Sequence, residues 1–283
     1  MIHDDRKCEL GEGALWHPKR NQLYWFDILG KRLLTRGHEG PGEWHFPHMV
    51  SAAGWLNQSE LLIASEVALF RFDLETGTRR DVLALEADNA ITRSNDGRAD
   101  PYGGFWIGTM GKAAEKGAGS IWRYFRGSLR RLYAGVTIPN SICFTPDGRT
   151  AHFTDTATAK VMRVALDADG WPRGEPSVYL DLAAEGLNPD GAVCDAEGRL
   201  WGAQWGAGRV ACYGPDGSLI RTVAFDAPHT SCPAFGGDDL STLFCTTALQ
   251  DMSAADRSAH PQAGMTFAAA GIARGVPEPM VIL

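Results

Sequence analysis

Short apolar stretches alternate with polar positions along the whole chain and are cut at regular intervals by turn residues. Asp190 to Val223 shows the pattern in full. Asp190, Ala192 and Cys194 fall on one face of a period-2 segment, as a strand requires. Asp195-Ala-Glu-Gly198 reads as a tight turn, Leu200-Trp-Gly-Ala-Gln204 as a second strand, and Gly206-Ala-Gly208 as another turn. Arg209-Val-Ala-Cys-Tyr213 is a third strand, and Pro215-Asp-Gly217 leads into a fourth, Leu219-Ile-Arg-Thr-Val223.

The same unit occurs six times. Each copy opens on a strand with a polar residue in one slot: Glu12, Ser51, Asn95, Asn140, Asp190 and Ser231. Successive slots are 39, 44, 45, 50 and 41 residues apart, and a polar or turn residue follows each at eight positions (Arg20, Ser59, Gly103, Gly148, Gly198, Asp239). Four-stranded units at this period predict an all-β fold, a six-bladed β-propeller, with residues 1–283 as a single domain. No helical stripe separates the strands, which disfavours a parallel α/β fold, and a β-sandwich has no use for a sixfold slot. Residues 112–118 and 250–263 read as longer loops, the second with room for a short helix. Met265–Ala270 supplies the last unit's third strand, so its fourth must come from the segment before Glu12 or from the C-terminal tail.

Composition narrows the function. A net charge of −7 gives a nucleic-acid partner no electrostatic support. No apolar run is long enough to span a bilayer and the first residues are polar, so a cytoplasmic protein with no membrane partner is expected. The six cysteines form no Cys-x-x-Cys pair and read as buried reduced thiols. His17, His45, His48, His152, His229 and His260 lack paired metal spacing and read as turn, surface or packing residues. Nucleophile-elbow, zinc-protease and phosphate-loop motifs are missing from the sequence.

A ring would bring one Glu, one Asp, two Asn and two Ser to one mouth of a central channel. Buried carboxyls close together repel, and no slot holds Lys or Arg to neutralise them. A divalent cation bound through oxygen resolves the conflict, Ca²⁺, Mg²⁺ or Mn²⁺ in preference to a soft metal, with Zn²⁺ also able to accept carboxylates. The alternative is that the slots simply solvate a wet channel. Arg93, two residues before Asn95, is either a donor to substrate oxygens or a surface salt-bridge residue.

Gly11-Glu-Gly-Ala-Leu-Trp-His-Pro18, Asn95-Asp-Gly-Arg-Ala-Asp-Pro101 with Trp106-Ile-Gly-Thr-Met110, Pro139-Asn140-Ser, Pro189-Asp190-Gly and Ala234-Phe-Gly-Gly237 occur in that order. Together they resemble the SMP-30/gluconolactonase family, which includes regucalcin and the sugar lactonases. The resemblance implies a six-bladed propeller with a divalent cation in its channel. It places the metal ligands at Glu12, Asn140 and Asp190, the base also at Asp190, and the substrate contacts at Arg93 and Asn95. A further substrate-contacting glutamate of some members finds no clean match, since the region reads Gly111-Lys-Ala-Ala-Glu115 and Glu115 is a poor candidate. The implied activity is metal-dependent opening of a small-molecule sugar lactone to the aldonic acid, in sugar catabolism. The cation would polarise the lactone, Asp190 would take a proton from water, and Arg93 and Asn95 would hold the sugar. Ser51 and Ser231 would line the pocket. Two other readings are a metal-dependent esterase or phosphotriesterase on the same propeller and a non-catalytic calcium-binding propeller.

Overall fold

The computed structural model describes residues 1–37 and 39–283. Among these, the strands form six four-stranded antiparallel sheets arranged as a six-bladed β-propeller. Blade 1 runs Gly11–His17, Gln22–Asp27, Arg32–Gly37 and Gly40–His45. Blade 2 is Val50–Trp55, Glu60–Ser65, Ala68–Asp73 and Arg79–Ala84, and blade 3 is Thr92–Ala99, Phe105–Gly111, Gly119–Phe125 and Ser128–Val136. Blade 4 is Pro139–Phe144, Thr150–Asp155, Lys160–Leu166 and Pro172–Asp181, and blade 5 is Asn188–Cys194, Leu200–Trp205, Arg209–Tyr213 and Leu219–Ala224. Blade 6 takes Thr230–Gly236, Thr242–Thr247 and Thr266–Ala269 from the end of the chain and Ile2–Asp4 from its start. The N-terminal segment therefore supplies the missing outer strand.

Strand alternation explains the ring. Side chains on the two faces of each sheet point at two different neighbours, so the core forms wedges between blades. Phe26 and Leu33 of blade 1 meet Ile63 and Phe70 of blade 2. Trp106 of blade 3 meets Phe144 of blade 4, and Trp201 of blade 5 meets Phe235 of blade 6. Leu23 and Trp25 of blade 1 pack with Cys232 and Phe244 of blade 6, which closes the circle. Buried Asp4 adds a clasp by pairing with Arg6 at 2.9 Å and Arg36 at 2.7 Å.

The first strand of every blade lies innermost and touches its counterparts on both sides. In all six the register slips at the slot, as between Glu12 and Leu15, Ser94 and Gly97, and Pro189 and Ala192. A bulge bends the strand and re-aims the side chain beside it. After Glu12 the bulge needs Gly13, at φ +58°, where a Cβ would collide with the Ser51 carbonyl. After Asn140 a non-glycine, Ser141, holds φ +55°, and its hydroxyl donates to the Asp190 carbonyl at 2.5 Å.

The two mouths differ. The 250–263 loop carries the expected helix, Ala254–Ala259, capped by Ser253, and its Gln250 and Asp251 reach the slot mouth. The C-terminal tail crosses the far mouth. Trp55 Nε1 donates to the Glu278 carbonyl at 2.8 Å, and the amides of Val281 and Ile282 donate to Trp55 and Gly103. Beneath the tail, the Glu278 carboxylate forms a buried ion pair with Arg98 of blade 3. None of the described helices is long and apolar enough to cross a membrane.

Candidate active site at the channel mouth

All six slot residues lie on innermost strands and are buried. Glu12, Asn95, Asn140 and Asp190 share the wall of a cavity of about 300 Å³ with Arg93. The two serines do not. Ser51 donates to Ser94 Oγ at 2.7 Å, and Ser231 donates to the Gly11 carbonyl at 2.5 Å. Both hydroxyls join neighbouring blades, so the expectation that they line the pocket is corrected. A short hydroxyl on a bulged strand reaches the adjacent blade before it reaches the channel. A larger cleft of about 590 Å³, among Lys19, Arg20, Trp44 and Glu75, lies away from these groups and gathers no buried carboxyls.

One hydrogen-bonded chain sets the amide orientations. Arg93 Nη1 donates to Asn95 Oδ1 at 2.7 Å and to the Ser94 carbonyl at 3.0 Å. Asn95 Nδ2 donates to Asn140 Oδ1 at 2.9 Å and to the Pro139 carbonyl at 3.0 Å. Asn140 Nδ2 donates to Thr156 Oγ1 at 2.9 Å, and Thr156 donates to the Pro189 carbonyl at 2.7 Å. With its nitrogen turned to Thr156, Asn140 presents its oxygen at the mouth. Thr156 sits on a one-turn 3-10 helix, Thr156–Thr158, capped by Asp155. Arg93 is buried and makes no surface salt bridge among the described residues.

The carboxyls are under electrostatic stress. Burial, then repulsion from Asp96, raises the Glu12 carboxyl to about 8, against weaker help from the Gly13 amide and Arg93. Burial, then repulsion from Glu12 and Asp96, holds Asp190 well above the usual carboxylate range. Glu12 and Asp190 lie within hydrogen-bonding reach of one another. Asp96, deeper in the channel, accepts the Ile142 amide at 2.7 Å and is raised by burial to about 6. Burial lowers Arg93 to about 10, so it stays protonated near neutrality.

Two oxygen-bearing carboxyls and an amide oxygen, buried at one mouth with more negative than positive charge, suit a hard divalent cation. Their raised pKa values show what the protein lacks by itself, namely positive charge where the carboxyls meet. Glu115 does not reach this cavity. It is exposed and turned back onto the Ala113 amide at 3.1 Å. Sequence reasoning missed Asp96 and Thr156. The signal for Asp96 was present, as a carboxylate one position past the Asn95 slot. Thr156 belongs to no repeat.

An antiparallel propeller with a ring of buried oxygens at one mouth describes a broad class of small-molecule enzymes and binding proteins. The comparisons narrow it. Residues 10–249 match the model of the SMP-30/Gluconolactonase/LRE-like region, and the chain belongs to that family. It is 42% identical to a Rhizobium meliloti (strain 1021) protein provisionally named as a sugar lactone lactonase, over 92% of this chain and 89% of that one. It is 31% identical to 6-deoxy-6-sulfogluconolactonase of Pseudomonas putida, over 96% of this chain and 94% of that one. A crystal structure of the calcium-binding protein regucalcin from Agrobacterium tumefaciens str. C58 superposes with a TM-score of 0.97 at 41% identity, covering 100% of this chain and 97% of that one.

Proposed function

We propose that the chain opens a sugar lactone to its aldonic acid at the slot mouth, in sugar catabolism, with residues 1–283 working as one domain. One observation carries this reading. Glu12, Asn140, Asp190, Arg93 and Asn95, which the family resemblance assigns to metal and substrate, line a single cavity. The lactonase names of the relatives supply the substrate class.

Glu12, Asn140 and Asp190 would hold the cation. Bound there, a divalent ion supplies the charge that keeps both carboxyls ionised and polarises an ester carbonyl. Asp190 is the group that takes the proton from the attacking water, through a carboxylate oxygen. Arg93 donates to lactone and hydroxyl oxygens. Its Nη1 is tied to Asn95 and Ser94, and its other N–H groups have no protein acceptor among the described residues. That tie fixes the guanidinium plane before substrate arrives. Ile138, Met110 and Trp205 give the cavity apolar walls for the carbon face of a sugar ring. At about 300 Å³ it has room for one small ring.

The test is hydrolysis of a panel of pentono- and hexonolactones by metal-free protein reloaded with one cation at a time, read with a pH indicator after subtracting spontaneous opening. Activity should return with Ca²⁺, Zn²⁺, Mg²⁺ or Mn²⁺. In Asp190→Asn it should be about 10²- to 10⁴-fold lower. Near-normal turnover in that variant would sink the base assignment. Faster hydrolysis of aryl esters than of any lactone would favour the esterase reading.

A further inference from the structure

A second cluster of ligating groups lies away from the oxygen-rich mouth. Cys143 is on the innermost strand of blade 4, and His152 is directly opposite it on the next strand. Directly opposed residues project from the same face of a sheet. Cys194, on the innermost strand of blade 5, faces them across the blade interface. One ligand atom from each of the three lies within 4.8 Å of the other two, and all three residues are buried. None is used by the proposed lactonase reaction.

We propose that Cys143, His152 and Cys194 form a second cation site, selective for a thiophilic divalent ion such as Zn²⁺. The geometry supports it first. The two sulfurs are 3.8 Å apart. Two thiolates at about 2.3 Å from a tetrahedral Zn²⁺ are about 3.8 Å from each other, from the Zn–S bond length and the tetrahedral angle. A disulfide would require the same sulfurs to close to about 2.05 Å, pulling two innermost strands together.

Polar satisfaction supports it next. His152 is 5% exposed, yet its buried Nδ1 has no hydrogen-bond partner among the described residues. Inert packing seldom leaves a ring nitrogen in that state. Tyr179 lies against the imidazole at 4.8 Å between ring centroids and fixes its plane. Charge balance agrees, because two thiolates and a dication sum to zero, the cheapest arrangement for buried ions. Two sulfurs and an imidazole favour zinc over calcium or magnesium. The cysteines line a cleft of about 530 Å³ beneath the C-terminal tail. His152 lines a second cleft of about 420 Å³ on the outer side. An ion can therefore reach the cluster without passing through the slot mouth, and the cleft can supply water as a fourth ligand.

The experiment uses full-length protein carrying Glu12→Gln and Asp190→Asn, which removes the carboxylate pair at the mouth. Zn²⁺ is titrated against a chromophoric chelator, Co²⁺ is substituted, and X-ray absorption is recorded on the zinc form. The expected result is one equivalent of Zn²⁺ per chain, a thiolate-to-cobalt charge-transfer band, and Zn–S scattering at about 2.3 Å. Cys143→Ser and Cys194→Ser, each added to the same background, should lose the band. Because a serine variant can misfold, the absorption spectrum of the parent carries the decision independently. Zinc bound through nitrogen and oxygen alone, no bound zinc, or a Cys143–Cys194 disulfide in protein purified without reductant would each overturn the site.

Discussion

At the slot mouth, Glu12 and Asp190 are buried against one another with Arg93 beside them, and both carboxyls are held far above their usual range. At the far mouth, Arg98 is buried against Glu278 of the C-terminal tail. One inner strand contributes to both: Arg98 is three residues along Thr92–Ala99 from Asn95. The far mouth balances its buried charge within the chain and is crossed by the tail. The slot mouth carries an excess of negative charge and opens into a cavity. An imbalance that the fold could have removed with a slot lysine, and did not, marks the end where a positively charged ligand belongs.

The comparison fails or sharpens most visibly when one charge is removed at each end. Glu278→Gln leaves the Arg98 guanidinium buried without its counter-ion, and loss of one partner of a buried pair costs about 3–5 kcal/mol. Asp190→Asn should do the reverse in metal-free protein, raising stability by removing a repelled carboxyl. Denaturant unfolding in EDTA measures both. Equal destabilisation by the two substitutions would show that the slot mouth is balanced by something within the chain.

A smaller effect of the same origin appears in the pH dependence. The Glu12 carboxyl, ordinarily at 4.5, sits at about 8 in the folded metal-free protein, and Asp190 is raised with it. The folded state therefore binds protons that the unfolded state has released, and stability falls as pH rises through this interval. Asp96, raised to about 6, acts in the same direction. Buried His17, lowered from 6.5 to about 4, acts oppositely but only below its ordinary value. Arg93, at about 10, contributes only at higher pH. Cys194, lowered to about 6 chiefly by its contact with Cys143, acts oppositely across the same interval. The Glu12 contribution is therefore read as the difference in EDTA melting temperature between the parent and Glu12→Gln. From pH 6.5 to 8 the parent should lose ground to the variant, and the parent's stabilisation on adding Ca²⁺ should grow. A parent melting temperature that holds or gains ground on Glu12→Gln over that interval would break the electrostatic account of the mouth.

How much of this was legible in the sequence follows from which forces are local. Period-2 patterning and turn residues are local, so the blades, the helix within 250–263 and the need for a borrowed outer strand could be read directly. The slots repeat because every innermost strand bends at the same place, which made Glu12, Asn95, Asn140 and Asp190 visible. Arg93 was left between two roles until its burial was seen. Thr156, Glu278 and the Cys143–His152–Cys194 cluster depend on how one blade stacks on the next, or on where the tail crosses. The Arg98–Glu278 pair spans 180 residues, and neither member belongs to the repeat. His152 read as packing because its neighbours come from another strand and another blade.

The slot itself offers the finest test of what repetition means here. Ser51 occupies the position held by Glu12 in the blade beside it, so a purely repetitive reading would give both a part in the chemistry. The geometry separates them. The Ser51 hydroxyl is spent on Ser94 at 2.7 Å, and Ser94 also reaches toward the Ala64 carbonyl at 3.4 Å. Ser51→Ala should therefore cost about 1 kcal/mol of stability, the usual worth of one buried hydrogen bond, and leave lactone kcat/KM and cation affinity unchanged. Glu12→Gln in the same assays should lose both. A tenfold fall in kcat for Ser51→Ala at unchanged cation affinity would place this serine among the groups that touch substrate. The boundary between the blades that build the ring and the blades that carry its chemistry would then have to be redrawn to include blade 2.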